Sequence, residues 1–173
     1  MDQIKIQWAQ YHDWCDLGFI HSESFRSAYR GIIPDDFLNG FAIEKRHNYY
    51  QKALNEGVEK TAIMSVNNKA TGMITVGKCR DDDLDDTFGE IWGIYLLPDY
   101  WRKGLGKILI NWGMDRIKDF GYFKATLWVL QDNTNARRFY EHLGFSFDGT
   151  EKIITIGKQL TEVRYRKSLG NAS

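Results

Sequence analysis

The sequence predicts a single-domain α/β (α+β) fold in which helices flank a mixed β-sheet. Segments with the two-residue alternation of strands and segments with the helical period of 3.6 residues both occur along the chain. The 173 residues suit one domain, residues 1–173, and proline occurs only at Pro34 and Pro98. No linker, repeat or low-complexity stretch divides the chain, which favours one core.

The first third of the chain predicts one strand followed by helices. Ile4 to Trp8 alternates apolar and polar residues, as a strand does. Apolar residues at helical spacing then predict helices that begin near Trp14, Asp35 and Ile43. Gly57 is placed to end the last of them, because glycine is the commonest residue after a helix.

The rest of the chain predicts most of the sheet. Thr61 to Val66 and Thr71 to Cys79 flank Asn67-Asn68-Lys69, which is a plausible hairpin turn. Glu90 to Leu97 is apolar, aromatic and β-branched, which is typical of a buried central strand. The same criteria predict further strands at residues 125–130, 152–156 and 162–167, and helices at residues 105–120 and 133–143.

Composition narrows the functional classes. The 23 basic and 23 acidic residues give zero formal net charge, which argues against a nucleic-acid partner because phosphate binding usually needs a basic stripe. Cys15 and Cys79 cannot make a disulfide framework, so we expect a reducing, cytoplasmic compartment. The longest apolar run, near Ile91 to Leu97, is too short to span a membrane, and residues 1–5 lack a signal-peptide core. The four histidines are scattered without zinc spacing, so no metal is expected.

A glycine-rich turn precedes the helix predicted at residues 105–120. Gly104 and Gly106 let the backbone approach a ligand, and the first N–H groups of the helix have no intrahelical acceptor. Such a helix start attracts a pyrophosphate, and the basic residues of the run 102–107 add positive charge. A purely structural glycine pair is the alternative. Ile108 after Lys107 excludes a P-loop.

The helix predicted at residues 133–143 offers one polar face. Asn133, Arg137 and Tyr140 lie within roughly 40° of one another on a helix that advances ~100° per residue. Apolar residues cluster on a different face, which is buried. Asn133 is also a candidate N-cap, and Tyr140 a candidate tyrosine at the edge of the core, so both residues have structural alternatives.

Two strings of residues now lie in a recognisable order. They are Glu90-Ile91…Leu96-Leu97-Pro98-Asp99-Tyr100-Trp101-Arg102-Lys103-Gly104-Leu105-Gly106 and Asn133-x-x-Ala136-x-x-Phe139-Tyr140-x-x-x-Gly144-Phe145. In order, spacing and intervening elements, residues 91–145 resemble the GNAT acetyltransferase superfamily. The first string departs from the family motif at Trp101 and Arg102, where the family usually has Gln or Arg and then often glycine.

The resemblance implies a GNAT-like fold. Its mostly antiparallel central sheet has about seven strands, is flanked by about four helices, and splays between the two central strands. It also implies that acetyl-CoA, bound as a co-substrate without a metal, lies in that splay. The residues implied to bind it are Ile94, Tyr95, Leu96, Arg102, Lys103, Gly104, Leu105, Gly106, Lys107, Asn133 and Arg137.

The implied activity is N-acetylation by direct attack of a primary amine within a ternary complex. Such an amine is almost all ammonium at pH 7, and we expect Glu90 to act as the general base. Tyr140 is implied to lie near the sulfur and to assist the leaving thiolate, and Arg26, Tyr29 and Trp92 are implied to line the acceptor pocket.

Several alternatives remain open at this point. A non-catalytic acyl-CoA-binding regulatory module is the second functional hypothesis. The acceptor could be a small molecule or a peptide N-terminus, and a homodimer is one expected assembly. The acidic run from Asp81 to Asp86 could attract a cationic substrate, or it could be a solvated loop.

Overall fold

Within residues 2–57 and 59–170, the part of the chain that the computed structural model describes, seven strands form one sheet and five α-helices pack on it. The strands are β1 (Ile4–Trp8), β2 (Lys60–Val66), β3 (Lys69–Lys78), β4 (Phe88–Leu96), β5 (Lys124–Leu130), β6 (Ser146–Ile156) and β7 (Lys158–Ser168). The helices are α1 (Trp14–Ala28), α2 (Asp35–Asn39), α3 (Ile43–Glu56), α4 (Leu105–Asp119) and α5 (Thr134–His142).

The sheet has the order β1-β2-β3-β4-β5-β7-β6, and its neighbours are antiparallel except for β4 and β5. This topology confirms the predicted α/β (α+β) class with a mixed, mostly antiparallel sheet. The predicted β6 was too short, because a register shift between Phe147 and Glu151 interrupts the alternation that marks a strand. The five helices are those that the periodicity predicts, including separate α2 and α3, and are one more than the about four that the resemblance implied.

The two central strands, β4 and β5, diverge after three paired residues. β4 and β5 are parallel and pair only from Phe88 to Glu90 on one side and from Lys124 to Thr126 on the other. Beyond Glu90 the strands diverge and leave a gap between them. Trp92 is the extra residue of a β-bulge in β4, because Thr75 faces Gly93 while Val76 faces Ile91. The splay that the resemblance implied is therefore present.

Apolar residues alternate between two cores, one on each face of the sheet. Ile74 and Ile91 pack with Leu109 of α4 on one face. Leu17 of α1 and Met73 of β3 pack in a second cluster on the opposite face. A fully buried Leu or Ile contributes about 1.5–3 kcal/mol, so the two layers hold the gap open between rigid walls. No helix in the described ranges combines the length and the apolar character needed to cross a membrane.

Candidate active site

The turn before α4, residues 102–107, is called the α4 turn below. Gly104 is the residue before the helix and has φ 79°, a left-handed conformation that glycine adopts without strain. A Cβ on Gly106 would lie 3.4 Å from the ring of Phe139, an ordinary van der Waals contact, so α4 and α5 adjoin at this residue. The six backbone N–H groups of the turn have no acceptor in the described part of the chain. They form the row of free donors that an anionic diphosphate needs.

The two residues that depart from the family motif have defined roles in this turn. Trp101 donates its indole N–H to the carbonyl oxygen of Leu96, with an N···O distance of 2.6 Å. Arg102 has φ 57° and so adopts the left-handed conformation at the place where the family often has glycine. The turn is thus tied to the end of β4 by a side chain, and the left-handed conformation of Arg102 costs local strain.

The backbone of β4 faces the gap at alternate residues. Leu97 donates its N–H to Thr71 of β3 at 2.8 Å, which fixes the phase of the ladder. Alternation then turns the backbone of Tyr95 toward β3 and the backbone polar groups of Ile94 and Leu96 toward the gap. Of the three residues expected to hold the pantetheine arm, two therefore present backbone groups to the gap, and Tyr95 contributes its side chain instead.

Two polar residues expected to bind coenzyme A, Asn133 and Arg137, already form hydrogen bonds within the protein. The side-chain oxygen of Asn133 accepts from the N–H of Ala136 at 3.2 Å, so Asn133 caps α5. Arg137 donates to the hydroxyl of Tyr165 at 3.0 Å and to the carbonyl of Gln131 at 3.1 Å. The side-chain amide nitrogen of Asn133 makes no hydrogen bond to the rest of the described chain and remains a donor.

Three tyrosines gather near the gap. Tyr140 is 9% exposed, and no hydrogen bond joins the hydroxyls of Tyr29, Tyr95 or Tyr140 to another residue in the ranges described. Burial raises the pKa of all three phenols, that of Tyr95 to about 12. Tyr95 and Tyr140 further raise the pKa of Tyr29, and Glu162 raises the pKa of Tyr29 and Tyr95. Such influence weakens with distance, so the phenols and Glu162 share one region.

Glu90 lies where β4 and β5 begin to diverge, and its carboxylate is fully engaged. The residue is 1% exposed. Its oxygens accept from the backbone N–H of Arg80 at 2.9 Å, from Nε at 3.1 Å and from Nη2 at 2.6 Å. The guanidinium of Arg80 lies 4.4 Å from the ring centre of Trp92. Glu90 therefore holds Arg80 over the bulge of β4.

A cavity of about 180 Å³ lies beside that bulge, on the face covered by α1 and α3. Below it is called the α1/α3 cavity. His21 stacks on Tyr95 with ring centres 4.2 Å apart and bonds the hydroxyl of Tyr50 at 2.7 Å. Burial, and then the charge of Arg46, lower the pKa of His21 to about 3, so this imidazole is neutral at pH 7. The lining residues are His21, Arg46, Tyr49, Tyr50, Glu59, Thr75, Arg80, Trp92, Gly93 and Tyr95.

Comparison with known proteins agrees with this geometry. The model of the "Acetyltransferase (GNAT) family" matches residues 19–145. The chain belongs to the GNAT acetyltransferase family. The resemblance inferred from the two strings of residues is thereby confirmed.

Two GNAT relatives share about a quarter of their aligned residues with this chain. An uncharacterized N-acetyltransferase, YuaI, of Bacillus subtilis (strain 168) is 25% identical over 130 residues, which cover 75% of this chain and 73% of YuaI. Spermidine N(1)-acetyltransferase of Thermoplasma acidophilum is 24% identical over 156 residues, or 86% of this chain and 91% of that protein.

Among solved structures, the PaiA N-acetyltransferase of Thermoplasma acidophilum in complex with coenzyme A superimposes with a TM-score of 0.73 at 20% identity, over 96% of this chain and 99% of that one. YncA of Salmonella typhimurium, a putative acetyltransferase with its cofactor acetyl-CoA, gives a TM-score of 0.72 at 17% identity, over 99% and 96% of the two chains. At these identities the likeness shows the fold.

The acceptor residues expected from the GNAT resemblance are divided by the structure. Trp92 lines the α1/α3 cavity, and Tyr29 belongs to the group of phenols. Arg26 lies apart from the cavity lining, because it donates to Glu23 and, at 2.6 Å, to the carbonyl of Phe41. Arg26 thus holds α1 to the segment that follows α2.

Part of the acidic run serves the fold. Arg164 of β7 is 2% exposed and donates to Asp83 at 2.6 Å and to Asp81 at 3.2 Å. Arg164 also bonds Asp148 at 2.7 Å, and Trp128 donates to Asp81 at 3.0 Å. These contacts fasten the loop after β3 to the far half of the sheet, so the run is more than a solvated loop.

The remaining features lie away from this site. A larger cavity, about 350 Å³, is bounded by residues 131–132 and by Ile153 and residues 158–161, and none of the three phenols lines it. In residues 2–57 and 59–170, no cluster of three or more His, Cys, Asp or Glu residues could hold a metal ion.

Sequence reasoning missed several residues of the α1/α3 cavity and its surroundings. His21 was considered only as one of four scattered histidines, while Arg46, Arg80 and Glu162 were not singled out. Each is an isolated polar residue on a helix, a strand or a loop, and such residues usually face solvent. His21, Arg46 and Arg80 line one cavity because α1, α3 and β4 are neighbours in the fold, and no local sequence spacing predicts this.

Proposed function

We propose that the protein transfers an acetyl group from acetyl-CoA to a primary amine, by direct attack in a ternary complex. The observation that carries the proposal is the row of six backbone N–H groups without acceptors in the α4 turn, which opens beside the gap in the sheet. A diphosphate fits such a row because the donors converge and carry the positive end of the helix dipole. The relatives named for N-acetyltransferase activity support the chemistry.

The residues of the gap fit the remaining parts of coenzyme A. Arg102, Lys103 and Lys107 form no ion pair within the described ranges and supply positive charge around the diphosphate. The backbone groups of Ile94 and Leu96 would pair with the pantetheine amides. The side-chain amide nitrogen of Asn133 would donate to the same arm. Bound acetyl-CoA supplies an activated acyl group and a thiolate leaving group.

Tyr140 is the proposed partner of the departing sulfur. Burial raises the pKa of its phenol, so the hydroxyl stays protonated at every pH at which amines are acetylated. Transfer of its proton to a thiolate of conjugate pKa ~8.5 is uphill from an ordinary phenol at ~10, and more so from a raised one. We therefore assign Tyr140 the donation of a hydrogen bond rather than complete proton transfer.

Glu90 is the proposed base, acting through water. An alkyl ammonium of pKa ~10.4 must lose its proton before attack, at a cost of about 4–5 kcal/mol at pH 7. Glu90 is 1% exposed and its oxygens are held by Arg80, so the proposed route requires a water that reaches the carboxylate when the substrate binds.

The experiment is a coenzyme A release assay with the purified chain, acetyl-CoA and a panel of amines that includes polyamines, amino acids, aminoglycosides and peptide N-termini. Amine-dependent thiol release is the expected result. Saturable binding of acetyl-CoA in calorimetry without thiol release for any amine would support the alternative, a non-catalytic acyl-CoA-binding module. Absence of binding would overturn both functions.

A further inference from the structure

Arg46 is the cation of the α1/α3 cavity that has no partner. It lines the cavity from α3, is half-buried, and forms neither an ion pair nor a hydrogen bond with the described part of the chain. Its guanidinium lies 4.6 Å from the ring centre of Phe41, which holds the planar group in place. A half-buried cation without an anion in a cavity is the mark of a site that receives its anion from a ligand.

The other charged groups and the imidazole that line the cavity already have hydrogen-bond partners. Arg80 is paired with Glu90 through three donors, so the two cancel. Glu59 accepts the hydroxyl hydrogen of Tyr49, and His21 is neutral because burial lowers its pKa to about 3. The guanidinium of Arg46 is therefore the group that a bound molecule would meet first as an unsatisfied donor.

The hydrogen bonding of the cavity favours a carboxylate over a second ammonium. With Arg80 paired to Glu90, Arg46 and Glu59 remain with opposite charges, but Glu59 already accepts from Tyr49 whereas Arg46 has no acceptor in the described part of the chain. A molecule with a carboxylate would instead give Arg46 a planar, two-pronged acceptor that matches its fork of donors. The aromatic walls of Tyr50, Trp92 and Tyr95 suit an apolar side chain.

The size of the cavity points to a small acceptor. The volume of about 180 Å³ is below the ~300–1,000 Å³ of most ligand sites. Tyr95 lines the cavity and influences the pKa of Tyr140, so the proposal requires the amine of a bound molecule to lie at the Tyr95 wall.

From these observations we infer that the acceptor is a small amino acid-like molecule, an amine that also bears a carboxylate, and that Arg46 binds the carboxylate. The inference rests on the proposed acetyltransferase function and names its substrate class. The bond that forms is the amide N–C bond. The thioester C–S bond breaks, the amine proton leaves through the base, and the thiolate departs as coenzyme A.

The test compares acids with the amines that lack only their carboxylate. L-Phenylalanine is compared with phenethylamine, and L-methionine with 3-(methylthio)propylamine, by kcat/KM for thiol release, with spermidine as a further acceptor. The wild type is expected to prefer the acids, and Arg46→Gln to lower the acid-to-amine ratio at least tenfold. The basicities of acid and amine differ, but they cancel when the same ratio is compared between two enzymes.

Three further variants make the result specific. Arg46→Lys keeps the charge but loses the fork, so it is expected to recover part of the ratio. Lys45→Gln removes the same charge from an exposed neighbour on α3 and is expected to leave the ratio unchanged. Glu59→Gln removes the acidic group that lines the cavity, and its kcat/KM is measured for spermidine as well as for the acids. Acetyl-CoA affinity and thermal melting are measured for each, so that a misfolded variant is recognised.

The outcomes separate the two levels of the proposal. Turnover with amines, but an unchanged ratio in both Arg46 variants, would overturn the carboxylate assignment alone. Spermidine as the best acceptor, with activity lost in Glu59→Gln, would overturn it in favour of a polyamine. Thiol release from no acceptor at all would remove the acetyltransferase function and this inference together.

Discussion

The α4 turn and the α1/α3 cavity lie near the two ends of the same diverging strands. They differ in the groups that they offer to a ligand. The turn is contiguous, from residue 102 to 107, and its donors are backbone N–H groups. The cavity is assembled from side chains of α1, α3 and β4 and of the residues beside β2 and β3. Backbone donors survive most substitutions, whereas a side-chain pocket changes its chemistry with each one. The fold thus keeps one ligand constant and leaves the other free to vary.

The two regions also differ in how they hold charge. The basic residues of the α4 turn are exposed, so their charges are screened and they add attraction without fixing a geometry. Among the charged groups that line the α1/α3 cavity, Arg46 and Glu59 are half-buried and Arg80 is exposed, and Glu59 and Arg80 each have a hydrogen-bond partner. Substitutions in the turn should therefore change affinity for acetyl-CoA. Substitutions in the cavity should change turnover, pH dependence and the choice of amine.

The largest effect is expected from Glu90→Gln. If Glu90 accepts the amine proton through water, kcat/KM at pH 7 should fall at least a hundredfold, and the loss should shrink toward pH 9 as free amine becomes available. Acetyl-CoA affinity should be retained. Steady-state profiles from pH 6 to 9 check this, with Glu162→Gln as the matched carboxylate. A loss of equal size at every pH, accompanied by lower stability, would assign Glu90 to the fold alone, through Arg80.

Gly104→Val tests the α4 turn. A β-branched residue at φ 79° is strained, so the N–H groups around it should be redirected, and acetyl-CoA should bind about thirtyfold more weakly in calorimetry. Gly121→Val is the control, because Gly121 follows the same helix, has φ 91° and, like Gly104, has open space where a Cβ would lie. Both variants should lose similar stability. Equal acetyl-CoA affinity in the two would separate the turn from binding.

The parts of the molecule that depend on contiguous residues were predictable from the sequence, and the cavity assembled from distant residues was not. The fold class, the order of most elements and the turn around Gly104 follow from periodicity and from a contiguous motif. The role of Trp101 was not foreseeable, because its contact with Leu96 depends on the path of the intervening 3₁₀ turn. The α1/α3 cavity was largely missed, since a residue such as Arg46 becomes informative only when its lack of a partner can be seen.

The acceptor side should also be sensitive to acid. The pKa of His21 is about 3 in the fold and ~6.5 in an unfolded chain, so the unfolded state binds the proton first and stability falls as the pH drops below 6.5. Between pH 7 and 5 this residue should account for roughly 2 kcal/mol of the free energy of unfolding. His21→Gln, compared by urea denaturation at both pH values, should show a shallower decline. Parallel declines would mean that His21 titrates normally.

Tyr140→Phe probes the region where the two sides meet. It should lower kcat at least tenfold, since the leaving thiolate loses its hydrogen-bond donor, while acetyl-CoA affinity stays the same. Burial raises the pKa of this phenol, so the wild-type rate should show no basic limb from Tyr140 below pH 10. Tyr122→Phe removes a hydroxyl under α4 and serves as control. Unchanged turnover in Tyr140→Phe would remove Tyr140 from the mechanism.

The smallest effect on acetyl-CoA binding is expected at Trp101, whose side chain ties the α4 turn to β4. Trp101→Phe keeps an aromatic ring but removes the N–H that donates to Leu96, and a lost hydrogen bond of about 1 kcal/mol corresponds to roughly fivefold weaker acetyl-CoA binding. The sign of the change is informative, because the carbonyl of Leu96 faces the gap. If the indole fixes the α4 turn, affinity falls. If it competes with the pantetheine arm for the same oxygen, affinity rises, and Trp101 would then restrict binding of acetyl-CoA rather than support it.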